Sequence, residues 1–257
     1  MTTVTGTKPS FWNRYANPTE FQRLSNLIAP IAGGGALILF AVGLWFGLVV
    51  SPAARDHGEA VRILYVHVPA AWMSLACYTY MAVASVVGFV WKHPLADVAA
   101  KSIAPIGATF TALTLITGSL WAQPGWGAWW VWDARVTSVL ILLFMYLGYM
   151  ALWSAIDEPT RAARIAAIAC LVGFVNIPIM KFSVDWWNTL HQPASFTKPG
   201  AVDSAIALPT WLLFGGYVLA FVWILLTNMS AELAERRIAR LQSSARPTST
   251  LVAEPAE

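Results

Sequence analysis

The chain has 257 residues, of which 58% are hydrophobic and 11% are charged, and its formal net charge is +3. This composition excludes an ordinary soluble domain and is typical of a polytopic membrane protein. We expect no nucleic-acid partner for such a chain.

Six apolar segments follow one another along the chain, each near the ~20 residues that an α-helix needs to cross the hydrocarbon layer of a bilayer. They cover approximately residues 31–50, 64–91, 102–122, 135–156, 165–184 and 209–228. The sequence therefore predicts an all-α polytopic membrane protein with six transmembrane helices. We divide it into a cytoplasmic N-terminal or interfacial segment (1–30), a transmembrane domain (31–228) and a cytoplasmic, partly disordered tail (229–257).

Local signals add detail to the first and fifth spans. Residues 17–20, Asn-Pro-Thr-Glu, resemble a capping box with proline at the first helical position, which predicts a short amphipathic helix before the first span. That span is too long for the apolar core of a cleavable signal peptide, so we expect it to be retained. In the fifth span, Asn176 and Pro178 predict a kink.

The basic residues are distributed unequally over the two sides of the membrane, which predicts the orientation. With the N-terminus inside, eleven Lys and Arg residues are cytoplasmic and five are outside. The five outer residues are Arg55, Arg62, Arg135, Lys181 and Lys198. We therefore expect both termini in the cytoplasm, and an outward-facing tryptophan-rich loop between the third and fourth spans.

This loop, from Gln123 to Arg135, contains four tryptophans. Four residues of the loop are spaced at i, i+3, i+4 and i+7, which would place them on one face if the segment after Pro124 is helical. These residues are Trp126, Trp129, Trp130 and Asp133, whereas Trp132 lies off that face. Ring anchoring at the headgroup level of the membrane is the alternative explanation. Asp133 suits two roles equally, as N-cap of the fourth span or in orienting the tryptophans or a ligand.

Two of the four histidines share a local motif, His-x-Pro-Ala-small-aromatic. The motif begins at His67 before the second span and again at His191 in the third outer loop. Because proline favours the first position of a helix, both histidines are predicted to stand just ahead of a helix start. The positive end of a helix disfavours imidazolium, so each ring should be neutral and able to bind a metal. A histidine that only bonds a loop carbonyl at the interface is the alternative for either residue.

The outer loops thus combine two histidines with an aromatic surface. A flat macrocycle whose iron takes two axial ligands would stack on the tryptophans with one histidine on each side, as haem does. Its propionates need cations, and Arg135 is the best placed of the outer basic residues. By contrast, His57 is predicted to be a solvated loop residue, and His93 lies on the inner side.

Several other chemistries lack their motifs in this sequence. A P-loop is absent, so the chain is not expected to use ATP by itself. A Cys-x-x-Cys-His motif is also absent, so haem would be bound non-covalently. Cys77 and Cys170 lie inside predicted spans and are interpreted as packing residues.

Three segments together resemble a known family. They are residues 63–73, 126–138 and 186–195, and they are similar to the haem-handling membrane proteins of bacterial cytochrome c maturation, of the haem exporter protein C type. The resemblance implies a WWD segment at 123–138 that holds haem b transiently on the periplasmic face. We take its cofactor-binding residues to be Trp126, Trp129, Trp130, Trp132, Asp133 and Arg135. The resemblance also implies that His67 and His191 are the axial ligands of the iron.

The resemblance further implies the place of the chain in a pathway. Haem would pass from this protein to a periplasmic haem chaperone, and a small single-span membrane subunit and ATP-binding-cassette exporter subunits would complete the assembly. The location would be the bacterial inner membrane. We expect the chain to present haem and not to be an enzyme.

Two other functions remain open at this point. The first is a bis-histidine membrane cytochrome for electron transfer, although such proteins usually hold both ligands on facing helices within the spans. The second is a small-molecule transporter with an aromatic vestibule, which would give no reason for the repeated histidine motif. The larger synthase-type relatives with the same tryptophan segment have many more spans than this chain.

Overall fold

The computed structural model describes residues 17–245 except 56, 188, 192–194, 197 and 199. This part of the chain is helical and contains no β-strand. The helices are α1 (Pro18–Trp45), α2 (Val61–Trp91), α3 (Ala96–Trp126), α4 (Ala134–Ala155), α5 (Pro159–Gly173), α6 (Asn176–Trp186) and α7 (Ser204–Ala245), with a π-helical turn at Phe46–Val50 after α1.

In the part of the chain that the structure describes, six apolar helical segments are long enough to cross a membrane. The first of them joins α1 to the π-helical turn, and the fifth joins α5 to α6. The predicted all-α fold with six transmembrane helices is therefore confirmed. Most spans exceed the ~20 residues required, so the helices extend beyond the hydrocarbon layer or tilt within it.

The start of α1 follows the predicted capping signal. The side chain of Asn17 accepts a hydrogen bond of 3.0 Å from the backbone N–H of Thr19, and Pro18 occupies the first turn. The helix then continues without a break to Trp45, so the predicted short helix is the first part of the same continuous helix as the first span. Residues 229–241, which the sequence predicts to be part of the tail, are the C-terminal part of the continuous helix α7.

The fifth span is interrupted where the sequence predicts a kink. Helix α5 ends at Gly173 and α6 begins at Asn176. The buried side chain of Asn176 donates a hydrogen bond of 2.9 Å from Nδ2 to the backbone oxygen of Ser138 in α4. This hydrogen bond satisfies a polar side chain inside a membrane span and links the interruption to a neighbouring helix.

The core lies mainly between α2, α3 and α4, with buried residues contributed by α5, α6 and α7. The hydroxyl of Tyr146 in α4 donates to the backbone oxygen of Ser74 in α2 at 2.9 Å, and that of Tyr78 in α2 donates to the backbone oxygen of Cys170 in α5 at 3.1 Å. Cys77 and Cys170 are both buried and free, in agreement with their interpretation as packing residues. These contacts hold α4 and α5 against α2. One end of this group of helices forms the site described next.

Candidate functional site

A cavity of about 570 Å³ lies where the first turns of α2 and α4 meet the last turns of α3 and α6. The loop between α6 and α7 closes one side of it. Its walls are largely aromatic and include Trp72, Trp121, Trp126, Trp129, Trp130 and Phe196. His67 and His191, the two histidines of the repeated motif, both line it.

His67 lies inside α2, six residues after the helix begins at Val61. The prediction that it stands ahead of a helix start is therefore wrong. Pro69 is accommodated in the interior of the helix, as membrane helices often allow because neighbouring groups satisfy the freed carbonyl. The matching helix start after His191 would fall on residues 192–194, which lie outside the described residues.

The tautomer of His67 follows from its partner on α3. Its Nδ1 lies 3.0 Å from the hydroxyl oxygen of Thr117, and that hydroxyl is also 2.6 Å from the backbone oxygen of Leu113. The single hydroxyl proton is donated to the carbonyl, so Thr117 must accept at the histidine. Nδ1 of His67 therefore carries the proton, and Nε2 keeps a lone pair that can bind a metal.

The close approach of α2 to α3 depends on a glycine beside this pair. A Cβ atom at Gly118 would lie 3.1 Å from Cε1 of His67. The imidazole thus occupies the space that any larger residue at this position would partly fill. The ring is therefore held by a hydrogen bond on Nδ1, and its Cε1 lies close to Gly118.

His191 reaches the same tautomer by a different route. Its Nδ1 lies 2.9 Å from Oδ2 of Asp133, a carboxylate oxygen that can only accept. The hydroxyl of Thr189 donates to the same oxygen, and the backbone N–H of His191 donates to that hydroxyl oxygen at 3.1 Å. The ring also contacts Trp126 edge to face, with centroids 4.8 Å apart. Nε2 of His191 is again the atom left with a lone pair.

Asp133 caps α4, which is one of the two roles that the sequence left open, and it also binds His191. Its Oδ1 accepts from the backbone N–H of Val136 at 2.7 Å and caps α4, while Oδ2 orients His191. Burial by itself would raise the pKa of Asp133, but hydrogen bonds from Thr189, Val136 and His191 outweigh it and hold this pKa below its ordinary value. Burial lowers the pKa of His191, against the opposing effect of Asp133. The pair is therefore a carboxylate beside a neutral imidazole at neutral pH.

The tryptophans line the cavity, but not as one face of a helix. Helix α3 ends at Trp126, because Gly127 adopts a left-handed conformation with φ of 74° that reverses the chain. The predicted shared helical face is therefore wrong. Trp129 and Trp130 reach the cavity from the following loop, whereas Trp132 is 74% exposed and lies outside it. The indole N–H of Trp130 is buried and forms no hydrogen bond within the described part of the chain.

Three of the five predicted outer cations line the cavity, namely Arg135, Lys181 and Lys198. Arg135 is anchored to α6, where it donates to the hydroxyl of Ser183 and to the backbone oxygen of Lys181, both at 3.3 Å. Arg62 instead pairs with Glu59 at 2.7 Å. The cavity therefore combines aromatic walls, two neutral imidazoles and a positively charged side.

Sequence reasoning missed several residues of the site. His57, predicted to be a solvated loop residue, is half buried and packs edge to face on Trp121 with ring centroids 4.5 Å apart. Thr117 was also missed, although a signal existed. Together with Thr111 and Thr114 it forms a stripe with a spacing of three residues along an otherwise apolar span. Such a stripe indicates a polar helix face directed at a neighbouring helix.

Comparisons with known proteins agree with one another. The family model described as "Heme exporter protein C" matches residues 11–244. The heme exporter protein C of Bradyrhizobium diazoefficiens is 50% identical over 229 residues, covering 88% of this chain and 87% of that protein. That of Haemophilus influenzae is 43% identical, and the match covers 85% of this chain and 90% of that protein. That of Escherichia coli K12 is also 43% identical, and the match covers 81% of this chain and 85% of that protein.

Proposed function

Because the chain belongs to the haem exporter protein C family, we propose that its tryptophan-lined cavity binds haem b non-covalently, with His67 and His191 as the axial ligands. One observation carries this proposal. Both histidines line the same cavity, and each has its Nδ1 engaged so that Nε2 is the atom available to iron. Two neutral imidazoles are the ligand set of a six-coordinate haem.

The rest of the cavity suits such a cargo. Its volume of about 570 Å³ falls within the range of about 300–1,000 Å³ that is common for small-molecule sites. Trp126, Trp129 and Trp130 provide flat apolar surface for a porphyrin. Arg135 and the two lysines beside it would neutralise the propionates.

The division of roles among the residues suggests how haem is handed over. His67 is held within a helix pair, whereas His191 is held by Asp133 and Thr189 in a loop. We propose that the loop ligand is released first while His67 retains the haem, so that the cargo is exchanged between ligands and is never free in water. The exposed rings of Trp129 and Trp132 would form the docking surface for the receiving protein.

We further propose that this receiver is a periplasmic haem chaperone in the biogenesis of c-type cytochromes. The relatives are named as exporters of haem, which supports a role in haem transport and not in catalysis. The distribution of basic residues supports an inner-membrane protein with both termini in the cytoplasm. A small single-span subunit and ATP-binding-cassette exporter subunits are the proposed membrane partners.

The proposal is tested by the visible absorption spectrum of the detergent-purified chain and of its His67→Ala and His191→Ala variants. We expect a six-coordinate low-spin spectrum in the parent and a shift toward five-coordinate haem, with lower haem content, in each variant. His93→Ala is the matched control, since His93 lies away from the cavity and accepts a hydrogen bond from the backbone N–H of Leu95. A parent spectrum that neither cavity substitution alters would refute the ligand assignment.

The same ligand pair would also suit a membrane cytochrome that transfers electrons. The two functions differ in the fate of the haem. A presenter loses haem to an acceptor such as an apo-chaperone, whereas a cytochrome keeps its haem through repeated cycles of reduction and oxidation. Loss of the absorption band from the membrane fraction upon addition of the acceptor distinguishes them.

A further inference from the structure

A second cavity, of about 850 Å³, lies near the other ends of α2 and α3. It is formed by the last turns of α2, the first turn of α3, the start of α5 and the charged part of α7. We call it the distal cavity. None of the residues that the structure describes lines both this cavity and the proposed haem site, so the distal cavity does not depend on the function proposed above.

The rim of the distal cavity is positively charged. Lys92, Arg164 and Arg240 are exposed side chains at its opening, and Arg236 lies further in. Asp97 is the acidic residue among its described lining. Because Asp97 pairs with Arg236 at 2.8 Å, the three rim cations keep an excess of positive charge at the opening.

Arg236 lines this cavity and carries one donor that has no partner among the described residues. Its Nη1 binds Asp97 and its Nε binds Glu232, each at 2.8 Å, and Glu232 is also held by Lys101 at 2.6 Å. These contacts fix the plane of the guanidinium. Its Nη2 is buried and makes no hydrogen bond with a residue that the structure describes. A buried donor of this kind is costly, and an anionic oxygen would satisfy it.

The wall beneath the rim is largely apolar and is lined by small side chains. Ala84, Gly88, Ala163 and Ala167 leave space between the helices, and the ring of Phe89 borders it. Small side chains of this kind make room for a flexible hydrocarbon chain along a helix surface. The distal cavity is therefore amphipathic, with cations at the opening and hydrocarbon surface below.

We propose that the distal cavity binds an anionic phospholipid, with the phosphate at Arg236 and the rim cations and an acyl chain on the alanine-lined wall. Basic pockets between transmembrane helices bind acidic lipid headgroups in this way. Free phosphate would use the cations but not the apolar wall. Haem would find no histidine, methionine or cysteine among the described residues that line this cavity.

The test measures lipid binding to the full chain after purification in detergent and removal of lipid. Native mass spectrometry would follow added phosphatidylglycerol, with phosphatidylcholine as the zwitterionic comparison and inorganic phosphate as competitor. Two variants change the site, namely the double variant Arg164→Gln with Arg240→Gln, and Ala163→Leu, which fills the wall. Arg161→Gln is the matched control, since Arg161 is an exposed arginine on the same helix that does not line the cavity.

We expect phosphatidylglycerol to bind in preference to phosphatidylcholine and to withstand inorganic phosphate. Each cation is expected to contribute about fivefold to the affinity for phosphatidylglycerol. Loss of two arginines should therefore weaken the binding of this lipid about twenty- to thirtyfold. Ala163→Leu should also weaken it, and Arg161→Gln should leave it unchanged. The proposal is overturned by equal binding of both lipids, by displacement with inorganic phosphate, or by equal affinities in the double variant and the control. Elution as a monodisperse species in size exclusion confirms that each variant is folded.

Discussion

The two histidines of the tryptophan-lined cavity reach the same tautomer through hydrogen bonds to different kinds of partner. On the helix side, His67 donates to a neutral hydroxyl whose own proton is already used by a backbone carbonyl. On the loop side, His191 donates to the carboxylate of Asp133. A threonine hydroxyl that already donates its proton elsewhere can only accept from the histidine, as a carboxylate does. Both partners therefore leave Nε2 as the free ring nitrogen.

The choice of partner on each side follows the local environment. Thr117 lies within a membrane span, where an isolated charge is expensive, and a hydroxyl avoids that cost. Asp133 lies between spans at the start of α4, where the helix N-terminus and the Val136 N–H stabilise its charge. The helix side is therefore suited to holding a ligand in place, and the loop side to tuning and releasing one.

The largest effect is expected from Asp133→Asn. The amide keeps the ability to cap α4 but can present an N–H group to Nδ1 of His191, which would move the ring proton to Nε2. We expect haem affinity to fall about tenfold to a hundredfold, as is common when the partner of a metal-binding histidine is changed. Equilibrium haem titration followed by absorbance measures this change.

Asp185→Asn is the control for that experiment. It removes the same charge from an exposed residue that also lines the cavity. If both variants lost equal affinity, the effect would come from net charge and not from the tautomer of His191.

Thr117→Val examines the helix side and should have a smaller effect. The valine keeps the shape of the side chain but cannot accept from Nδ1 of His67, so the ring loses its orientation and tautomer preference. We expect about tenfold weaker haem binding in the same titration. Thr111→Val is the control, because Thr111 is buried on the same helix with its hydroxyl donating to the backbone of Gly107. Unchanged affinity in Thr117→Val would show that packing alone orients His67.

The smallest effect is expected from Gly118→Ala. The added Cβ would lie 3.1 Å from Cε1 of His67, so the ring must move by a few tenths of an ångström. We expect a shifted Soret band and about fivefold weaker binding, which corresponds to about 1 kcal/mol of side-chain strain. Gly148→Ala adds the same methyl group to α4, where nothing lies within 4 Å of the new atom, and should change neither property. Identical spectra for both variants would contradict a restrained His67.

Much of the fold could be predicted because it depends on local properties of the chain. The length and apolarity of the spans indicate membrane helices, and Asp133 followed by a helical run indicates a cap. Two errors had the same origin. Whether Gly127 would end α3, and whether Pro69 would begin a helix or lie within one, depends on the packing around them and not on the local motif. Both alter the helix boundaries without removing Trp126 or His67 from the cavity.

By itself, the sequence determined the six-span architecture and identified the two histidines and the tryptophans of the candidate site. It could do so because the length of apolar segments, a repeated motif and the chemistry of each residue are all properties of the linear sequence. Only the tertiary structure decided which atoms of those residues meet. Thr117 lies fifty residues from His67 and Asp133 fifty-eight from His191, and no local pattern contains such pairs. The free nitrogen of each histidine, on which the proposed chemistry depends, is a property of these long-range hydrogen bonds.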